Sequence, residues 1–143
     1  MMDKKNKMVF QKDILLSINP NYCKRIQQGK KEWEYRKSIW SNNKRINKIY
    51  LYETSPIQKI IGYFKTNLII KGNPKKIWNL TFEEAGITKR EFDTYFSNKE
   101  TGYALQISHL VLFEFPKDPF VLIENFHPPQ NFMYFNNNLS KEI

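Results

Sequence analysis

Cysteine is nearly absent from this chain, whose 143 residues carry only Cys23. That excludes an intrachain disulfide and any zinc site built mainly from thiolates. No apolar run approaches the length of a membrane span. The start, Met1 to Phe10, is lysine-rich and lacks the apolar stretch of a secretory signal. These absences point to the cytoplasm and away from a membrane partner. Glycine is scarce, at five residues, and neither a glycine-rich phosphate loop nor a nucleophile elbow is visible. His109 and His127 have no carboxylate or second histidine at helical spacing, so no metal or other cofactor is expected.

Acidic residues are few and unevenly placed. Residues 1–76 hold 18 Lys/Arg against 5 Asp/Glu, while residues 77–143 hold 5 against 9. A field polarised in this way attracts polyanions and speeds their encounter. Exposed lysine is also an ordinary means of solubility, so the charge alone does not choose a partner. The length suits one domain with one hydrophobic core. Aromatics make up 15% of the chain, which gives that core a large buried area per residue.

The pattern runs strand, helix, several strands, a helical insertion, then strands again. Ile14 to Ile18 reads as a buried strand. Asn19-Pro20 caps and opens a helix, and Gly29 closes it. Tyr22, Cys23 and Ile26 share its apolar side, so Cys23 reads as a small core residue. From Lys31 to Lys37, Trp33 and Tyr35 alternate with Glu32, Glu34 and Arg36. Ile46 to Glu53 is a strand, and Ile57 to Ile70 reads as one long strand with Gly62 at a bulge. Asn73-Pro74 starts a helix, and Thr88 with Glu91 forms a capping-box pattern ahead of another. From Tyr103 to Phe115 alternate residues line one apolar face, with His109 among them as a core histidine. Phe120–Ile123 and Asn131–Phe135 read as closing strands. Six or so strands with little room for crossovers predict an α+β, mainly β fold: a small, mostly antiparallel barrel with flanking helices.

Gly29-Lys30-Lys31-Glu32-Trp33-Glu34-Tyr35-Arg36 lies where the basic helix ends and a strand begins. Gly29, Lys31, Glu34 and Arg36 occupy the spacing of the ASCH signature, which this stretch resembles. Leu15 to Pro20, Ile49 to Pro56, Gly102 to Leu105 and Pro128 to Phe132 are similar to other segments of that family, in the same order. The resemblance covers residues 13–135, leaving 1–12 and 136–143 as expected flexible tails. It implies a PUA-like barrel with a cleft beside the first helix that holds RNA or a modified nucleoside. In the family's amidohydrolase branch, which acts on acylated cytidine, the motif lysine, its threonine and a later glutamate do the chemistry. This chain keeps Lys31 but has Glu34 in the threonine position, and a carboxylate does not replace a hydroxyl nucleophile.

Glu34 and Arg36 lie two apart on one strand face, within reach of each other. Without the family they read as a surface ion pair worth under about 1 kcal/mol. With it, Glu34 orients the Arg36 guanidinium toward a phosphate or base edge. Lys24, Lys30 and Lys31 supply cations around the same turn. Tyr52 offers a ring for base stacking, and Ser55 and Gln130 add polar contacts. Glu83 or Glu84 is a further candidate general base. Two functions follow. The favoured one is a module that binds single-stranded RNA or a modified nucleoside in a basic cleft, leaving DNA open and assigning no oligomeric state. The alternative is an enzyme, a ribonuclease or nucleoside hydrolase, with Lys31 and Glu34 as its acid–base pair.

Overall fold

A computed structural model describes residues 11–41 and 45–135. The expected tails at 1–10 and 136–143 lie outside the described residues, and Gln11 and Lys12 open the first strand. That strand, β1 (Gln11–Ile18), has six consecutive buried residues from Asp13. Such a run, without polar alternation, belongs to a strand covered on both faces. β1 pairs in parallel with β3 (Arg45–Glu53) and antiparallel with β8 (Phe132–Phe135). β4 (Lys59–Lys65) and β7 (Ser108–Lys117) complete a five-stranded sheet ordered β7-β4-β3-β1-β8. A second sheet, ordered β2-β6-β5, joins β2 (Trp33–Arg36), β6 (Gly102–Gln106) and β5 (Ile69–Gly72).

The fold is thus mainly β with flanking helices, but neither sheet closes into the expected barrel. Two breaks explain why. The run read as one strand from Ile57 to Ile70 splits into β4 and β5, which lie in different sheets. The Tyr103–Phe115 run likewise breaks at Ile107, between β6 and β7, and His109, the second residue of β7, takes a left-handed φ of 50°. The second break carries the chain from the small sheet to the edge of the large one. His109 is therefore exposed, not a core residue, and most of β7 is exposed with it. Gly62 does sit at register shifts on both sides of β4. A Cβ there would lie 2.2 Å from the Val111 carbonyl oxygen of the neighbouring strand.

The helices follow their local signals. α1 (Pro20–Gln27) is capped by the Asn19 side chain, which accepts from the Tyr22 N–H. α2 (Pro74–Thr81) is capped in the same way by Asn73. α3 (Lys89–Tyr95) carries the complete capping box between Thr88 and Glu91. The Phe120–Ile123 segment, expected as a strand, instead forms a short helix, α4 (Pro119–Leu122), capped by Asp118.

Three packed clusters fix these parts. Ile14, Leu16 and Ile18 of β1 meet Ile49, Leu51 and Leu105 between the sheets. Leu15, Tyr50 and Tyr52 pack with Phe126 and Phe135 on the other face of the large sheet. Trp33 and Tyr35 of β2 pack with Ile77, Phe92 and Phe96 under the helices. Each fully buried aliphatic side chain contributes roughly 1.5–3 kcal/mol against its exposed state. Cys23 is a buried member of the first cluster. Burial pushes its thiol well above the usual range, as expected for an unreactive core residue.

Candidate functional site

The site grows out of the end of α1. Gly29 turns the chain with φ 75°, and the Lys30 and Lys31 N–H groups both donate to the Arg25 carbonyl. This tight exit sends Lys31 inward at the start of β2. Gly86, at φ 71°, faces the same backbone, and a Cβ on it would lie 2.4 Å from the Lys31 Cα. Only glycine permits so close an approach.

All four residues of β2 are buried. Trp33 and Tyr35 enter the helix-covered cluster, whereas Lys31, Glu34 and Arg36 form a buried ionic triad at 2%, 3% and 9% exposure. The solvated strand face expected from alternation does not exist here. Lys31 Nζ lies 3.6 Å from Glu34 Oε1, and Arg36 Nη1 lies 3.0 Å from Glu34 Oε2. Lys31 also donates to the Trp33 carbonyl and sits 4.7 Å from the Tyr35 ring centroid and 5.3 Å from that of Tyr22. Burial lowers the Lys31 pKa from its ordinary value, Glu34 opposes the shift, and Arg25 and Arg36 reinforce it.

Arg36 is committed inside the protein. Nη1 donates to the Ser17 carbonyl at 3.1 Å as well as to Glu34. Nε donates to Asn131 Oδ1 at 3.1 Å, and Nη2 donates to that oxygen and to the Asn131 carbonyl. Five contacts engage all three nitrogens, matching the five N–H donors of a guanidinium. The expectation that Arg36 reaches a phosphate is therefore corrected. It clamps β2 to β1 and to the approach of β8, and it fixes one oxygen of Glu34. The other oxygen, Oε1, is buried and has no hydrogen-bond partner.

Beside that oxygen lies a cavity of about 190 Å³. Its polar lining comes from Ser17, Asn19, Lys31, Glu34 and Arg36, and its rings from Tyr22, Tyr35 and Tyr95. The volume is below that of a drug-sized pocket and suits one small planar group. Tyr95, at the end of α3, accepts from the Lys37 N–H at 3.1 Å. Burial raises the pKa of the Tyr95 and Tyr22 hydroxyls, and pushes Tyr35 up to about 12. All three are neutral at ordinary pH, and the Tyr35 hydroxyl donates to Thr81 Oγ1 at 2.7 Å, because Thr81 itself donates to the Ile77 carbonyl.

The structure brings together Lys31, Glu34 and Arg36 and separates the other candidates. Tyr52 is 1% exposed and packs with Tyr50 and Phe126 in the third cluster, so it is a core ring and not a stacking platform. Ser55 is exposed in the turn after β3 and does not line the cavity, where Ser17 stands instead. Gln130 is exposed, and its neighbour Asn131 makes the contacts to Arg36. Glu83 and Glu84 are exposed on a 3-10 turn and do not line the cavity. Lys24 and Lys30 line a separate groove on the outer side of α1. Sequence reasoning missed Ser17, Tyr95 and Asn131 as site residues. Asn131 was one position from the candidate Gln130, a step that reverses facing in an extended segment. Among the described residues no group of three or more metal-ligating side chains occurs. No described helix is long and apolar enough to cross a membrane.

Known proteins resemble this chain over most of its length. The ASCH domain model matches residues 16–116. An ASCH domain-containing ribonuclease of Zymomonas mobilis is 25% identical over 134 residues, covering 92% of this chain and 90% of that protein. The crystal structure of ASCH from Zymomonas mobilis superposes with a TM-score of 0.82 at 23% identity, covering 91% of this chain and 92% of the other. A crystal structure of a single-residue variant of the Zymomonas protein gives a TM-score of 0.81 at 22% identity, covering 91% of this chain and 94% of the other. Identities this low carry the fold and not the chemistry.

Proposed function

The chain belongs to the ASCH domain family, within the PUA-like superfamily, and from that premise we propose that it acts on single-stranded RNA, taking one nucleotide into the cavity between α1 and β2. One observation carries the reading: the buried Glu34 Oε1 at the cavity wall, which faces the Lys31 ammonium at 3.6 Å as an ion pair but accepts no hydrogen bond. A buried acceptor without a hydrogen bond costs about 1–3 kcal/mol, a cost that the Lys31 charge offsets in part and a ligand O–H or N–H removes. RNA supplies such donors on its 2′-hydroxyls and base edges. The basic first half of the chain and the ribonuclease name of the Zymomonas relative favour the same class of ligand.

The pair also suits proton transfer. Glu34 Oε1 accepts the proton of a 2′-hydroxyl as that oxygen attacks the adjacent phosphorus. Lys31, whose pKa burial lowers, gives a proton to the departing 5′-oxygen. The products are a cyclic phosphate and a 5′-hydroxyl, with no metal in the step. Capture without cleavage is the second reading. It is favoured by the commitment of every Arg36 nitrogen to protein acceptors, which leaves that guanidinium no free donor for a developing phosphate charge.

The test is incubation of purified protein with labelled single-stranded RNA, read for cleavage on a denaturing gel and for retention by fluorescence anisotropy. Cleavage by the native chain that Glu34→Gln abolishes, with the fold intact by circular dichroism, supports the ribonuclease. Retention without cleavage, weakened by the same substitution, supports capture. RNA that is neither retained nor cut defeats both.

A further inference from the structure

We propose that the groove on the outer side of α1 is a phosphate subsite, so the ligand is a polynucleotide strand and not a free nucleoside. The inference rests on the cavity reading above and extends it to the neighbouring nucleotide. The groove is open and large, about 510 Å³ against about 190 Å³ for the cavity. Lys24 and Lys30 line it together with the amides of Asn21 and Gln28. Neither lysine side chain makes a hydrogen bond or ion pair among the described residues, so both ammonium groups are available. No carboxylate lines the groove, and Glu91, the partner of the lining residue Arg25, is already neutralised. Arg25 donates to both of its oxygens, at 2.9 and 3.1 Å, and also to the Gly86 carbonyl at 3.1 Å.

The two depressions are neighbours. Tyr22 lines the cavity and Arg25 lines the groove, with the guanidinium carbon 5.4 Å from the Tyr22 ring centroid. Gly86 lines the groove, and the next residue, Ile87, lines the cavity. The Tyr22–Arg25 contact and the step from Gly86 to Ile87 therefore stand between a small aromatic and carboxylate-bearing recess and an open basic channel. That is the division of labour a single strand requires. A planar base stacks and donates its polar edge on one side, while its diester anion meets point cations on the other. Flexible lysines suit this role because a phosphate track needs charge without fixed geometry. A free nucleoside has no group for the channel, so it occupies only half of the surface.

The experiment compares Lys24→Gln/Lys30→Gln with a charge-matched control, Lys75→Gln/Lys76→Gln, in the full chain. Anisotropy of a short labelled single-stranded RNA of mixed sequence is followed from low to physiological salt, with intactness checked on a gel. Calorimetry with the four free nucleosides gives the cavity's own affinity. Loss of two phosphate contacts should reduce the slope of log K against log salt by about 1.4 for a single strand. The ratio of oligonucleotide to nucleoside affinity should fall with it, and the control should change neither as much. An unchanged slope in the groove variant, or an equal change in the control, overturns the subsite and leaves the cavity reading standing. If Glu34→Gln also leaves nucleoside and RNA binding untouched, the cavity reading fails instead.

Discussion

Arg36→Ala should remove about 3–5 kcal/mol of folding stability, the range for breaking a buried ion pair from one side. The magnitude follows from what the side chain holds. Its removal takes the Arg36 donor from the Ser17 carbonyl and from Asn131 Oδ1, and leaves Glu34 Oε2 without its ion-pair partner, while the Asn131 carbonyl still accepts from the Ser17 N–H at 3.0 Å. Each abandoned buried acceptor costs on the order of 1–3 kcal/mol before water enters the space. Lys31, 3.6 Å from the other carboxylate oxygen, offsets part of the loss by retaining one charge partner. Arg36→Lys keeps the charge but not the planar fork, so it should recover only a fraction. Urea denaturation measures both effects, with a shifted midpoint and an unchanged slope if only stability is altered. A loss below about 1 kcal/mol is the value of a surface pair and would refute the clamp. An arginine that contacts phosphate directly would show the opposite profile, with stability kept and RNA affinity lost.

Tyr52→Phe should leave RNA affinity unchanged in an anisotropy titration, because the ring packs in the third cluster away from the cavity. Gly86→Ala should cost at least about 1–2 kcal/mol for its left-handed backbone, with more from the 2.4 Å approach to Lys31 Cα, read as a lower thermal midpoint. Glu91 is held down to about 2, against an ordinary 4.5, chiefly by its hydrogen bonds to Arg25 and then by the Thr88 N–H. The unfolded chain therefore binds more protons between those values, and stability falls as pH drops from about 4.5 through about 2. Glu91→Gln should flatten that part of the stability–pH curve.

Features carried by a few adjacent residues were legible in the sequence. Asn19-Pro20, Asn73-Pro74 and the Thr88–Glu91 box each name a helix start because the cap is a local hydrogen bond. Asp118-Pro119 is the same signal and marks α4, although the apolar Phe120–Ile123 run suggested a strand. The two sheet changes were hidden. Apolar alternation continues through Thr66–Leu68 and through Ile107–His109, where no glycine or proline marks a turn. A period of two reports a pleat but not which sheet receives it.

The site divides along the same line. Lys31, Glu34 and Arg36 sit within six residues of one another, so one turn and one strand place them. Their burial was invisible because it depends on Ser17, Asn131 and Tyr95, each far away in the chain. The facing of Tyr52 and Ser55 was equally hidden. In β3 every residue from Ile49 to Tyr52 is buried, so alternation could not tell the cavity side from the far core.

The central claim, that RNA enters the cavity beside Glu34, is tested most directly by nuclear magnetic resonance. A short single-stranded RNA is titrated into isotopically labelled protein, and the amide and aromatic shifts are mapped. The account predicts that the largest changes fall on Tyr22, Lys31, Glu34 and Tyr95, with weaker ones along Lys24 and Lys30. Changes confined to other surfaces, such as the depression that Trp78 of α2 and Phe92 of α3 line or the exposed Phe115 and Phe120, with the cavity residues silent, would contradict it.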